Sequence, residues 1–227
     1  MNSLLDIPIS KIRETLTLMS SVTERNLALA MQALRERDGN IADRVEAEDD
    51  QLDQLEIEID ERVIGYMATR GPVATDCRFA LAASKISTNL ERIGDEVTTM
   101  ARCSRLLNRD APLGPGFDLT RIVEMSSKML YDSMTAFIEK QPEFALEIVL
   151  RDKKVDELHG ELVRELTGCM KENQASIDSC LNWIRIVKCV ERIADHAVNI
   201  AEVVYFLYRG RDIRHGGAEQ EQPHSQG

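Results

Sequence analysis

Aromatic residues are scarce in this chain, with one Trp, four Tyr and five Phe among 227 residues. Glycine and proline are also few, at 12 and 6. Sandwiches and barrels need β-branched and aromatic residues for their strands and Gly and Pro for their many turns, so the composition argues against both. No apolar run approaches the roughly 20 residues that a membrane-spanning helix requires. The first residues, MNSLLDIPIS, lack the basic segment, long apolar core and small-residue cleavage site of an export signal, so the expected location is the cytoplasm. Positive charge is in deficit. Lys and Arg total 28 against 39 Asp and Glu, giving a net charge of −11 and a pI near 4.9. That is the wrong balance for gripping phosphate backbones, and nucleic acid is not an expected partner. The five cysteines (Cys77, Cys103, Cys169, Cys180, Cys189) include no CxxC and leave one unpaired, so free thiols in a reducing compartment are expected.

What is present is 43% hydrophobic and 30% charged, enough to bury a core, and the balance is that of an all-α fold. Residues 108–118, NRDAPLGPGFD, crowd Pro112, Gly114, Pro115 and Gly116 into a stretch that no helix tolerates, and they read as a linker. Residues 209–227 are polar and aperiodic and read as a disordered tail. Helical period fills the rest. In the first half, one helix runs from about Ser10 to Arg37 and a second to about Thr69. The second carries Val45, Leu52, Leu55, Ile59, Val63 and Met67 as one apolar stripe, and a third starts near Thr75. In the second half, Asp118 can cap a helix to Lys140. Pro142 and Glu143 open the next, which ends near Asn173, and the last runs from Ser176 to a C-terminal cap at Gly210. The expected architecture is two tandem, elongated, antiparallel three-helix bundles, at 1–107 and 119–208.

The two halves repeat each other. A shift of 103 carries Val22, Leu27, Met31, Leu34 and Ile41 onto Met125, Leu130, Met134, Phe137 and Phe144, and carries Asp49, Leu52 and Asp53 onto Asp152, Val155 and Asp156. After the second helix the shift is 100, which carries Glu91, Arg92 and Asp95 onto Glu191, Arg192 and Asp195. The apolar matches need only mean a shared bundle, whereas the acidic matches need another explanation. With 39 acidic residues in the chain, about seven pairs four apart arise by chance, and each costs a helix a few tenths of a kcal/mol. Here Asp49/Asp53, Glu91/Asp95, Asp152/Asp156 and Glu191/Asp195 occupy equivalent places, each flanking the apolar stripe of its helix. Packed helices would bring two pairs together, and four carboxylates around one point repel unless a cation or protons join them. All-oxygen ligation suits Mg²⁺, Ca²⁺, Mn²⁺ or iron. The spacing leaves a second reading open, a solvated acidic flank paired with Arg92 and Arg192.

Other chemistries find less support. A ferritin-like di-iron centre wants two ExxH motifs, and only Asp156-x-x-His159 comes near. No GxxxxGK[ST] loop is present, and no Ser or Cys has a recognisable general-base partner in sequence. The expected protein is not an enzyme.

The words ERIGD at 91–95 and ERIAD at 191–195, with DDQLDQLEIEI at 49–59 and RDKKVDELHGEL at 151–162, resemble the PhoU family of bacterial phosphate-uptake regulators. The resemblance spans residues 8–208 and rests on four copies of the family's E(D)xxxD motif. It implies a cytoplasmic homodimer that links the ATPase subunit of a phosphate ABC transporter to a phosphate-sensing histidine kinase. In that role it holds the kinase inhibitory when phosphate is plentiful and restrains uptake. It also implies metal ions, in some relatives multinuclear iron, with manganese, zinc, magnesium or calcium as alternatives. Carried over by position, the ligands are Asp49, Asp53, Glu91 and Asp95 in one bundle and Asp152, Asp156, Glu191 and Asp195 in the other. Arg92, Arg192 and Asn199 are candidates for partner contact or motif support. The first bundle departs from the pattern, reading ERIGDEVTTMAR where the second reads ERIADHAVNIAE, so that Thr99 and Arg102 stand where Asn199 and Glu202 do. The second site is therefore the stronger expectation. The alternative is a metal-binding sensor or storage protein, or a weak metallo-hydrolase, in which the clusters themselves act.

Overall fold

The computed structural model describes residues 6–70, 73–110 and 117–214. Its helices are α1 (Asp6–Glu36), α2 (Gly39–Ala47), α3 (Asp49–Arg70), α4 (Ala74–Leu107), α5 (Thr120–Glu139), α6 (Pro142–Val149), α7 (Asp152–Glu172) and α8 (Ile177–Arg209), with one 3₁₀ turn at Gln174–Ser176. Among the described residues there is no strand, and no helix is long and apolar enough to cross a membrane. The fold is all-α, two tandem bundles of three helical rods each. In the first bundle α1, α2–α3 and α4 pack together, and in the second α5, α6–α7 and α8 do the same.

Sequence punctuation sets several ends. Asp38 caps α2 by accepting from the Asn40 amide, Pro142 occupies the first turn of α6, and Gly210 closes α8 in the left-handed region at φ 67. Asp118 accepts from the Thr120 amide and hydroxyl and so serves the start of α5.

The second rod of each half differs from expectation. It is not one helix but two, broken after Ala47 and after Val149, with no Gly or Pro at either break. Ion pairs to the first rod hold both junctions, in opposite polarity. Glu48 receives Arg25 of α1 at 2.8 Å, whereas Arg151 reaches the buried Asp132 of α5 at 2.5 Å. The break starts α3 at Asp49 and α7 at Asp152, which puts one acidic residue of each motif at a helix N-terminus.

The tail also differs. Ile213, inside the stretch expected to be disordered, is 1% exposed and packs with Tyr205, Leu146 and Val149. Residues 215–227 of that stretch, 111–116 of the expected linker, and the Gly71-Pro72 stop of the second rod lie outside the described residues.

The bundles join along α4 and α8, the most extensive helix pair in the molecule, and their apolar residues form one continuous core. Arg13 of α1 adds to the junction. Its guanidinium lies over the rings of Phe79 and Phe137, at 4.7 and 4.9 Å, and donates to Tyr208 Oη of α8.

Candidate functional site

Each acidic cluster forms where the start of a broken rod packs against the middle of a long third helix. In the second bundle α7 supplies Asp152 and Asp156, and α8 supplies Glu191 and Asp195. One carboxylate oxygen each from Asp156, Glu191 and Asp195 falls within 4.8 Å of the other two. Glu191 is 9% exposed and is met by Lys188 Nζ at 2.5 Å. Asp152 Oδ1 is buried with no hydrogen-bond partner. A buried, unpaired carboxylate oxygen beside three convergent carboxylates is costly in this form and fits a hard cation. Burial, then Glu191, Asp152 and Asp156, push the Asp195 carboxyl up to about 6. Burial, Asp156 and Glu191 raise Asp152 as well. The positive end of α7 favours an ionised Asp152, but burial and two like charges outweigh it.

In the first bundle Asp49 and Asp53 of α3 face Glu91 and Asp95 of α4. Burial, with Asp95, Asp53 and Glu56 adding like charge, pushes Glu91 up to about 7 although Arg92 opposes the shift. Asp49 is raised by burial and by Asp95 and Asp53, against a hydrogen bond from Thr98. Gly94 lets the helices meet here, because an added Cβ would strike Leu52 Cδ1. Arg92 pairs within the cluster, donating to Asp95 at 3.2 Å and lying 3.4 Å from Glu91. Arg102, which replaces an acidic residue of the second motif, pairs with Glu46 at 3.1 Å. Each cluster therefore carries a cation of its own, Arg92 on two carboxylates in the first and Lys188 on Glu191 in the second, and the second also has an unpaired oxygen.

The two expected arginines behave differently. Arg92 stays in its own bundle, whereas Arg192 crosses the seam to Glu96 of α4 at 2.9 Å. His196, next to Asp195, also crosses it, donating from Nδ1 to Asn89 Oδ1 at 2.9 Å. Burial lowers the His196 pKa, so the ring is held neutral. Between α4 and α8 lies a polar cleft of about 550 Å³, bordered by Arg92, Asp95, Thr99, Arg102, Arg192, Asp195 and Asn199. It brings together the three residues expected to support the motifs and one carboxylate from each cluster. Sequence reading missed Glu96, Lys188 and Thr98 as parts of the site. The repeat places His196, Thr88 and Val198 at the equivalent positions, so these three were hidden by being unlike their counterparts.

The sequence model of the PhoU domain matches this chain twice, at residues 16–104 and 119–204. The chain is 34% identical over 220 residues to the "phosphate-specific transport system accessory protein PhoU homolog" of Pseudomonas putida, covering 96% of this chain and 86% of that one. It is 36% identical over 207 residues to the Pseudomonas aeruginosa protein of the same description, covering 91% and 86%. The crystal structure of PhoU from Pseudomonas aeruginosa superposes with a TM-score of 0.87 at 34% identity, over 91% of this chain and 99% of that one. The phosphate transport system regulatory protein PhoU from Streptococcus pneumoniae superposes with a TM-score of 0.85 at 25% identity, over 91% and 98%.

Proposed function

Because the chain belongs to the PhoU family, whose members are accessory proteins of phosphate-specific transport, we propose that it is a cytoplasmic negative regulator of phosphate uptake and of the phosphate-starvation response. It docks on the ATPase subunit of a phosphate ABC transporter and on a phosphate-sensing histidine kinase, restraining the first and holding the second inhibitory when phosphate is plentiful. It acts as a homodimer and by docking, without catalysing a reaction. The observation that carries this reading is the double PhoU-domain match, each copy laid over a pair of acidic motifs at equivalent places.

In the same reading Asp152, Asp156, Glu191 and Asp195 hold a metal ion, and Asp49, Asp53, Glu91 and Asp95 hold a second. The buried, unpartnered Asp152 Oδ1 and the convergence of Asp156, Glu191 and Asp195 support it. A bound ion supplies the positive charge that lets facing carboxylates stay ionised together. An ion shared by these carboxylates would tie the starts of α3 and α7 to α4 and α8. Iron, manganese, zinc, magnesium and calcium are all compatible with oxygen donors. A second reading, a metal sensor or store, rests on the same oxygens.

Affinity capture from membranes of the host, grown in high and in low phosphate, tests the regulatory reading. Recovery of the transporter ATPase or the kinase, changing with phosphate, is the expected result. Recovery of neither, with metal retained on the purified protein, moves the assignment to the metal sensor.

A further inference from the structure

The cleft between α4 and α8 has a lining of mixed sign. Arg92, Arg102 and Arg192 reach it from both bundles, and more than half of each side chain is exposed. Each guanidinium carries five N–H donors, and the ion pairs described above use one or two of them. Thr99 and Asn199 add hydroxyl and amide groups. Glu96 stands among them with its side chain 14% exposed, accepting from Arg192 and lying outside both sets of candidate metal ligands. Three guanidiniums line one cleft together with the carboxylates of Asp95, Glu96 and Asp195. Such guanidiniums suit a tetrahedral oxyanion, which takes several charge-assisted hydrogen bonds at once. A carboxylate in such a site repels a fully deprotonated anion such as sulfate. It accepts a hydrogen bond from an oxyanion that keeps a proton, and hydrogenphosphate keeps one at neutral pH.

We propose that this inter-bundle cleft binds inorganic phosphate as hydrogenphosphate, with Arg92, Arg102 and Arg192 donating to its oxygens and Glu96 accepting from its P–OH. The choice of phosphate among protonated oxyanions rests on the regulatory reading above, whereas the cleft's preference for a proton-bearing anion does not. The arginine ends of these ion pairs are more than half exposed, so the guanidiniums can turn to an anion. The side chains of Glu91, Glu46 and Glu96 are only 14–21% exposed, and the anion must offset the loss of their partners. Because the arginines come from both α4 and α8, a bound anion ties one bundle to the other.

Equilibrium dialysis of the full chain against labelled inorganic phosphate tests the proposal, with sulfate as competitor. It is run on chelator-treated protein and on protein loaded with Mn²⁺, whose metal content is measured alongside. The expected result is a Kd of about 1 mM or tighter in at least one of the two forms, weak competition by sulfate, and a loss of about tenfold or more in Arg192→Gln and in Arg92→Gln. Arg192→Lys retains part of the binding, and circular dichroism shows the variants folded. Glu96→Gln narrows the gap between phosphate and sulfate, which loss of folding alone does not do. Absence of phosphate binding in both forms, equal competition by sulfate, or unchanged binding in folded arginine variants overturns the proposal. Metal content is read separately, so failure of the metal assignment shows as an empty protein and failure of this one as an empty cleft. Loss of transporter regulation with phosphate still bound counts against the regulatory reading alone.

Discussion

Leu52 Cδ1 occupies the space that a Cβ on Gly94 would need. Leu52 is 1% exposed and lies between Asp49 and Asp53 in sequence, so the contact sets how closely α3 approaches α4 at the first acidic cluster. The second bundle has Ala194 and Val155 at the equivalent positions, a larger residue facing a smaller one. Volume has moved from one helix to the other while the spacing of the motif is kept.

Gly94→Ala is therefore expected to overpack this contact and destabilise the protein by about 1–3 kcal/mol. Leu52→Val in the same chain should recover most of the loss by restoring the arrangement of the second bundle. Denaturant melts of the two single variants and the double variant measure the coupling, and additive losses would show that the two side chains do not share the space.

Acidity should stabilise the metal-free protein within a defined window. Glu91 titrates near 7 and Asp195 near 6, above their ordinary values of 4.5 and 3.8. The folded state keeps these protons at pH values where the unfolded chain has released them. The resulting stability is complete below the unfolded pKa values and is lost as pH rises through about 6 to 7. After chelation, the melting temperature should fall between about pH 5 and about pH 8, and Glu91→Gln with Asp195→Asn should flatten that fall. A slope left intact by the paired substitution would place its origin elsewhere.

Metal should load the second bundle more tightly than the first, because Asp152 Oδ1 has no partner there and Lys188 meets one carboxylate, whereas Arg92 already meets two carboxylates of the first cluster. Asp152→Asn with Asp195→Asn should remove more Mn²⁺ at low free metal than Asp49→Asn with Asp95→Asn, as read by elemental mass spectrometry after dialysis. For the unsubstituted chain, free metal at about 100 times Kd should add about 2.7 kcal/mol of stability. Equal losses in the two paired variants would contradict the ranking.

The junction before α7 depends on Asp132, which is 3% exposed and held by Lys128 at 2.9 Å and Arg151 at 2.5 Å. Arg151 also lies 5.7 Å from the centre of the Phe144 ring. Asp132→Ala should cost about 1.5–3 kcal/mol, the range for hydrogen bonds to charged groups, since Arg151 is partly exposed and can turn to water. Amide exchange should quicken at Asp152–Asp156 before it changes elsewhere. Uniform quickening along α7 and α8 would show that the pair serves global stability rather than the break.

The sequence by itself determined the all-α class, the two repeats, the cap at Gly210, and the acidic positions that the two halves share. These follow from period, composition and spacing, which are properties of neighbours along a chain. Only the tertiary structure decided that the second rod of each bundle breaks just before its acidic motif. Local propensity contains no breaker at Glu48 or at Leu150, and the break is held by ion pairs between residues 23 and 19 apart, Arg25 with Glu48 and Asp132 with Arg151. The same holds for Ile213, whose polar surroundings in sequence conceal a buried contact with Tyr205, and for Arg192, which serves Glu96, 96 residues away, rather than its own motif. Helical period is written within a few turns, but the partner of a charge is chosen by which helix the fold brings alongside, and no local pattern carries that choice.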